Sequence, residues 1–339
     1  MEIATIGVIG AGSWGTALAA VLAEKGLPVV LWGHDARRIE LLKAGRVSEV
    51  YLPGIRLPET ITPTAELRDL LGAQLLLFVT PSKATREVAS ALAALRPSAE
   101  TIFLSCTKGI ERGSGLRMSE ILAEFFPTNP VAVLSGPNLA SEVARKMPTA
   151  AVLAAREPGV AERLQGLCSS KYFRVYTSDD VAGIELGGAL KNIFAIAAGV
   201  SDGLGLGDNS KAALLTRGLA ELIRLGVALG GRRETFQGLS GIGDLMVTCF
   251  SRHSRNRGFG ERLGRGESVT GIAESMNMVA EGVPTTLSAY ECARKLNIGT
   301  PIIDQVHAVL YEDKSPRAAM MELLSRDPRP EEDARSATE

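Results

Sequence analysis

A single cation stands in a long apolar stretch near the middle of the chain. The stretch IELGGALKNIFAIAA covers residues 184–198 and has Lys191 as its only cation. A helix that is apolar nearly all round is normally buried, and burial lowers the pKa of an ammonium toward neutrality. Such a lysine can exchange a proton near neutral pH, a role usually taken by histidine, of which the chain has only three. A second interpretation stays open, in which Lys191 reaches solvent or pairs with Glu185.

Further polar motifs favour the chemical interpretation of Lys191. Lys108 follows a predicted strand within CTKGIE, and Gly136 and Asn138 follow another within SGPN. Open α/β sheets bind ligands at the carboxyl ends of their strands. The glycine-rich loop GLSGIGD then ends in the carboxylate of Asp244. One turn before Lys191, two glycines at 187–188 are expected to leave room for a ligand.

An arginine-rich segment, TCFSRHSRNR, predicts an anion site. It covers residues 248–257 and carries three arginines within six residues. Arginine is the usual forked clamp for phosphate. Ser254 is placed to cap the helix that follows, whose free N–H groups favour the same anion. A solvated basic turn is the alternative that the residues leave open.

A glycine-rich turn near the start of the chain predicts a dinucleotide site. Residues 10–15 read GAGSWG, follow a predicted strand and open a predicted helix within a βαβ unit. Gly10 permits the tight turn, and Gly12 lets the backbone approach a pyrophosphate at the helix N-terminus. Gly15 lets the helix and the strand pack closely.

The end of the second predicted strand bears on the choice of cofactor. A site selective for NAD places an acid here to bond the ribose 2′-hydroxyl, but this strand ends in Gly33, which carries no carboxylate. His34 and Arg37 follow and offer positive charge for a 2′-phosphate, whereas Asp35 favours NAD. We therefore predict that both NAD and NADP are used, with NADPH moderately preferred.

Two kinds of predicted secondary structure carry these residues. Short apolar strands alternate with helices in the first half, which predicts a mostly parallel sheet. The predicted strands are 3–9, 28–32, 75–79, 101–105, 131–135 and 150–154, with helices at 13–25 and 84–95. From residue 179 the strands stop, and helices are predicted at 181–200, 210–230, 257–264, 285–296 and 301–311. We expect an α/β dinucleotide-binding domain over 1–178 and an all-helical domain over 179–326, followed by a disordered tail over 327–339.

Composition limits the class of protein. A length of 339 residues favours two domains, and a net charge of −1 gives no field to attract nucleic acid. The four cysteines have no metal-ligand spacing, so we expect reduced thiols, no metal and a cytoplasmic location. The N-terminus lacks the basic region of a signal peptide, and no apolar run is long enough to predict a membrane span.

Taken together, these motifs closely resemble the bacterial NAD(P)-dependent glycerol-3-phosphate dehydrogenase family from about residue 5 to about residue 325. The motifs that carry the resemblance are GAGSWGTALA, YLPG, VTPS, TKGIE, SGPNLASE, ELGGALKN, LSGIGDLMVTC, SRNR and VAEG. The resemblance implies a Rossmann-type domain, a helical domain and a site in the cleft between them. It also implies reversible reduction of dihydroxyacetone phosphate to sn-glycerol 3-phosphate, which supplies the glycerophospholipid backbone, and a homodimer.

The resemblance also implies roles for individual residues. Lys191 would be the proton donor, with Lys108 and Asp244 as the other catalytic groups. The implied substrate contacts are Lys108, Gly136, Asn138, Lys191, Asp244, Ser254, Arg255 and Asn256, with Asn192 and Thr248 added by analogy. Besides Gly10, Gly12 and Gly15, the implied cofactor contacts are Ser13, Trp14, His34, Lys108, Ala140, Arg255, Val279 and Glu281.

Two rival functions fit part of the pattern. A β-hydroxyacid or ketopantoate-type reductase shares the two-domain plan and the catalytic lysine. Its substrate presents a carboxylate, so it does not need the Ser254–Asn256 cluster. A protein that only senses nicotinamide cofactors would bind NADPH but would not need a lysine on an apolar helix.

Overall fold

One eight-stranded sheet organises the first half of the molecule. The computed structural model describes residues 3–276, 278–328 and 330–331. The strands are β1 Ile6–Ile9, β2 Val29–Trp32, β3 Val47–Ser48, β4 Leu52–Arg56, β5 Ile61–Thr64, β6 Leu75–Phe78, β7 Ile102–Ser105, β8 Val131–Ser135, β9 Thr149–Ala155 and β10 Phe173–Ser178. The main sheet has the order β10-β9-β8-β7-β6-β1-β2-β5, and β3 and β4 form a separate hairpin. All its neighbouring strands are parallel except β8 and β9, so the predicted mostly parallel sheet is confirmed.

Each of the six predicted strands is present, with ends that differ by a few residues. The central strands β1, β6 and β7 are buried along their whole length, as their continuous apolar sequences indicate. Sequence reasoning missed the hairpin and both edge strands, β5 and β10. The edge strand β5 contains Pro63, which has no backbone N–H. A proline is tolerated there because an edge strand has one side without hydrogen bonds to a neighbouring strand.

Helices cover the sheet and then form the second half of the chain. Those of the first half are α1 Ser13–Ala23, α2 Ala36–Gly45, α3 Thr85–Ala94, α4 Met118–Phe125, α5 Ala140–Ala144 and α6 Val160–Cys168. Those of the second half are α7 Val181–Gly203, α8 Gly207–Ala228, α9 Arg233–Phe236, α10 Asp244–Phe250, α11 Arg255–Gly264, α12 Val269–Ser275, α13 Gly282–Lys295, α14 Pro301–Tyr311 and α15 Pro316–Leu324. Short 3₁₀ turns occupy Leu67–Leu70 and Ser82–Ala84, and a π-helical turn occupies Leu239–Gly243. No strand follows Ser178 among the described residues.

Helix α7 is the core of the helical region. It is the one described helix long and apolar enough to cross a membrane, and its apolar span is wholly buried inside the protein. Two glycines of α7, Gly199 and Gly203, and two of α11, Gly260 and Gly264, let the helix backbones touch. A Cβ on Gly199 would lie 2.0 Å from the carbonyl oxygen of Arg257, and one on Gly260 would lie 2.0 Å from that of Ile196. Side chains of normal size at these positions would push the two helices apart.

The two halves meet where the sheet ends and α7 begins. Val152 and Ala154 of β9 pack with Val181 and Ile184 of α7 in a small apolar cluster. The exact domain boundary at 178/179 stays a prediction. Of the predicted disordered tail, residue 329 and residues 332–339 lie outside the described residues.

Candidate functional site

Lys191 lies between two polar groups of α10. Its Nζ atom donates to Oδ1 of Asp244 at 2.9 Å and to Oγ1 of Thr248 at 2.6 Å. The residue is only 6% exposed. Glu185, six residues earlier in the chain, instead accepts from Arg117 at 2.9 Å. The alternative in which Lys191 reaches solvent or pairs with Glu185 is therefore wrong.

Lys108 reaches the same carboxylate from the sheet. Its Nζ atom lies 2.6 Å from Oδ2 of Asp244, and 3.0 Å from both the carbonyl oxygen of Gly136 and Oδ1 of Asn138. Two lysines from different halves of the molecule thus share one buried aspartate. The cluster brings together six of the residues that the sequence analysis selected, namely Lys108, Gly136, Asn138, Lys191, Asp244 and Thr248.

The buried position of Lys191 changes its acidity. Burial lowers its pKa from 10.5 to about 8, and the nearby positive charge of Lys108 acts in the same direction, while Asp244 opposes both. With two ammonium groups and one carboxylate, the cluster carries an excess positive charge when both lysines are protonated. It can therefore stabilise an oxygen that gains negative charge and also deliver a proton to it.

The two glycines before Lys191 do not leave space for a ligand, contrary to the sequence-based expectation. A Cβ on Gly187 would lie 2.7 Å from the carbonyl oxygen of Ser240, and one on Gly188 would lie 2.2 Å from Oγ of Ser135. The space is filled by protein, because α7 packs directly on the end of β8 and on the π-helical turn. Free polar atoms nearby are Oγ of Ser135, Nδ2 of Asn138 and Oγ of Ser240, which have no hydrogen-bond partner among the described residues.

The residues of the predicted anion segment, 248–257, do not act as one cluster, because they contact different partners. Oγ of Ser254 accepts from the backbone N–H of Arg257 at 3.2 Å, which confirms the predicted helix cap. Arg255 lies at the surface and donates to the carbonyl oxygen of Val279 at 2.8 Å. Arg257 turns away and pairs with Asp202. Of the three arginines, Arg257 is therefore partly buried and engaged by Asp202, so it is not part of an anion clamp.

The two asparagines implied as substrate contacts bind each other. Nδ2 of Asn256 donates to Oδ1 of Asn192 at 2.8 Å, and Oδ1 of Asn256 accepts from the backbone N–H of Gly282 at 2.9 Å. Both side chains are buried. They join α7, α11 and α13 beside the lysine cluster, and a direct role in holding substrate stays a prediction.

The glycine-rich turn has the geometry that a dinucleotide needs. Gly10 has φ +124°, and a Cβ there would lie 2.5 Å from the carbonyl oxygen of Val79. A Cβ on Gly15 would lie 1.9 Å from the carbonyl oxygen of Gly10, whereas Gly12 has open space around it. No side chain caps the start of α1 at Ser13, so its backbone N–H groups stay available to a pyrophosphate.

Residues from the helical half face this turn. Oγ of Ser13 lies 4.0 Å from Sδ of Met278, next to Val279. Glu281 accepts from Ser82, both from the backbone N–H at 3.1 Å and from the hydroxyl at 2.5 Å. Burial raises the pKa of the Glu281 carboxyl. Sequence reasoning noted Ser82 only as the last residue of VTPS and gave it no role.

Asp35 is engaged within its own helix. Its carboxylate caps α2 by accepting from the backbone N–H of Arg38 at 3.1 Å. The carboxylate also forms an ion pair with the Arg38 side chain. Arg38 in turn stacks over the ring of Tyr51, with its central carbon 5.4 Å from the ring centroid. Three predicted cofactor residues remain: Trp14 is the second residue of α1, His34 follows β2, and Ala140 opens α5.

Comparison with known proteins gives a consistent family. Residues 5–161 match the model of the NAD-dependent glycerol-3-phosphate dehydrogenase N-terminus, and residues 180–321 match that of the C-terminus. The chain is 48% identical to a glycerol-3-phosphate dehydrogenase (NAD(P)+) of Geobacter sulfurreducens, covering 95% of this chain and 97% of the relative. It is 47% identical to that of Desulfitobacterium hafniense, covering 96% and 92%. A crystal structure of glycerol-3-phosphate dehydrogenase from Coxiella burnetii superimposes with a TM-score of 0.92 at 43% identity, covering 96% of this chain and 99% of that one.

Proposed function

Since this chain belongs to the NAD-dependent glycerol-3-phosphate dehydrogenase family, we propose that it interconverts dihydroxyacetone phosphate and sn-glycerol 3-phosphate with NAD(P) as the redox cofactor. The observation that carries the proposal is the buried Lys191, held between Asp244 and Thr248 with a pKa lowered to about 8. A proton donor of that acidity suits reduction of a ketone near neutral pH.

Each charged residue of the lysine cluster has its own role in the proposed reaction. In the reducing direction, protonated Lys191 donates to the ketone oxygen of the substrate as that oxygen gains negative charge. Lys108 adds positive potential at the same oxygen. Asp244 bonds both ammonium groups and so fixes their relative position. In the oxidising direction, neutral Lys191 takes the proton from the substrate hydroxyl.

The substrate phosphate is assigned to the start of α11. Ser254 and Arg255 open this helix, and its N-terminal N–H groups favour an anion. Binding of the phosphate, which does not react, holds the carbonyl carbon in position at the lysine cluster.

The glycine-rich turn fits the pyrophosphate of a dinucleotide, because Gly12 leaves space and α1 has no side-chain cap. The bound cofactor supplies or accepts the hydride. We propose that both cofactors are used, with NADPH moderately preferred. Support comes from Gly33, which carries no carboxylate, and from Asp35, whose carboxylate caps α2.

Steady-state kinetics with dihydroxyacetone phosphate and each reduced cofactor tests the proposal. We expect turnover with the phosphorylated ketone and none of comparable efficiency with 2-ketoacids. Efficient turnover of a 2-ketoacid would instead support a ketopantoate-type reductase. Cofactor binding without turnover of either substrate class would support a cofactor sensor.

We also propose that the enzyme works as a homodimer in the cytoplasm. The support is the family relationship. Analytical ultracentrifugation and cell fractionation test the two statements separately.

A further inference from the structure

A partly buried ion cluster, separate from the lysine cluster, lies at the start of α11. Asp202, the penultimate residue of α7, accepts from Nε of Arg257 at 2.6 Å. The same carboxylate accepts from Nζ of Lys211 of α8 at 3.0 Å and 2.8 Å. Lys211 is itself only 6% exposed, and its Nζ lies 4.8 Å from the ring centroid of Phe250, the last residue of α10.

The position of Asp202 is unfavourable for the helix that carries it. The carbonyl end of a helix disfavours a negative charge. The two cations around Asp202 offset that effect, so the cluster is held together by tertiary contacts between α7, α8 and α11. None of its members was selected from the sequence as a separate group.

The cluster controls how α11 sits on α7. The backbones of the two helices touch at Gly199 and Gly260, so no side chain spaces them apart there. Arg257 is the third residue of α11, and its backbone N–H is the one that Ser254 caps. The ion pair between Arg257 and Asp202 therefore fixes the position of the first turn of α11, where Ser254 and Arg255 lie.

We propose that Asp202 is a positioning residue for the substrate phosphate, acting through Arg257 on the first turn of α11. Asp202 does not touch the substrate. This inference rests on the proposed function, which assigns the phosphate to that turn. The inference predicts that loss of the Asp202 charge weakens phosphate binding and leaves the proton transfer at Lys191 intact.

The test compares Asp202→Asn with Arg262→Gln as a matched control. Arg262 lies on the same helix and pairs with Glu267 at the surface, so its substitution also breaks an ion pair of α11. In Asp202→Asn, we expect KM for dihydroxyacetone phosphate to rise about tenfold with kcat changed by less than about threefold. The kcat/KM for dihydroxyacetone, which lacks the phosphate, is expected to be unchanged. Arg262→Gln is expected to match wild type in all three measurements.

Equal losses with both substrates, or equal behaviour of the two variants, would overturn the inference. If Asp202→Asn fails to fold, Arg257→Lys provides the second variant, since it keeps the charge but loses the Nε–H group that donates to Asp202. Calorimetry with inorganic phosphate separates this inference from the proposed function. A wild-type protein that binds phosphate more tightly than Asp202→Asn but does not reduce dihydroxyacetone phosphate would support the positioning role and refute the activity. Equal phosphate affinity in the two proteins would refute the positioning role.

Discussion

Lys191 donates to Asp244 across 2.9 Å, and this bond joins the core helix of the helical region to the helix that follows the glycine-rich loop. The two residues are 53 positions apart in the chain. Both are nearly inaccessible to solvent. Burial lowers the pKa of Lys191 to about 8, while the pair with Asp244 favours its charged form. The lysine is therefore charged near neutral pH and can still release its proton, as a proton donor requires.

Replacement of Lys191 tests its role directly. Lys191→Met should fold, because Met has a similar volume and removes a buried charge. Turnover should fall by about 10² to 10⁴, the usual contribution of a positioned proton donor. Lys191→Arg should not restore it, because a guanidinium does not release its proton near neutral pH.

The measurement is kcat for wild type and both variants, with cofactor binding followed by fluorescence as the control. Binding of NADPH should survive, since the glycine-rich turn lies between β1 and α1 in the half of the molecule that contains the sheet, whereas Lys191 lies on α7. A variant that retains more than about a third of wild-type kcat would make Lys191 structural. Lys108 would then be the leading candidate for the proton donor.

The pH dependence should reverse between the two directions of reaction. Lys191 is protonated below its pKa of about 8, so kcat for ketone reduction should fall as pH rises through that value. Oxidation needs the neutral amine, so its kcat should rise over the same interval. Profiles of kcat in both directions check this prediction, with the cofactor Kd measured at each pH as a control. Parallel profiles in the two directions would contradict it.

Removal of the Arg255 side chain should weaken productive binding of the phosphate. Arg255→Ala is expected to cost about 2–5 kcal/mol in kcat/KM for dihydroxyacetone phosphate, because bound substrate would shield the exposed guanidinium and its phosphate partner from water. Arg252→Ala is the matched control, because Arg252 lies in the same segment and is exposed. Unchanged kinetics in Arg255→Ala would mean that this segment is a solvated basic turn.

Both cofactors should support turnover, with a moderate preference for NADPH. Asp35→Asn should change kcat/KM with NADH by less than about threefold, because the carboxylate caps α2 and Asn also caps helices well. The kcat/KM values for the two cofactors in wild type and variant check both statements. A preference for NADH greater than about a hundredfold, roughly 2.7 kcal/mol, would overturn the first.

Two glycines of α11 should respond oppositely to the same substitution. Gly260→Ala should destabilise the protein by about 1–3 kcal/mol or more, because its Cβ would lie 2.0 Å from the carbonyl oxygen of Ile196. Gly258→Ala should stabilise it by up to about 1 kcal/mol, because a Cβ there meets no neighbour within 4 Å and Ala favours a helix. Urea unfolding of both variants gives the free energies. Equal destabilisation would show that α7 and α11 are not in backbone contact.

Local patterns in the sequence determined most of the architecture. The apolar strands before Gly10 and Lys108, the glycine turn and the Ser254 cap were predictable because each depends on residues close in the chain. The edge strands were not, since β5 and β10 gain their conformation largely from pairing with a neighbour.

Only the tertiary structure decided which charges meet. The sequence did not decide whether Lys191 pairs with Glu185, reaches solvent or acts in a buried site. It also presented three arginines as one cluster. Folding instead brings Asp244 to Lys191 and Asp202 to Arg257, over separations of 53 and 55 residues. Spacing along the chain cannot select such partners, because the pairing depends on how α7, α10 and α11 pack. That packing in turn depends on glycines whose need for close contact is visible only once the neighbouring backbone is in place.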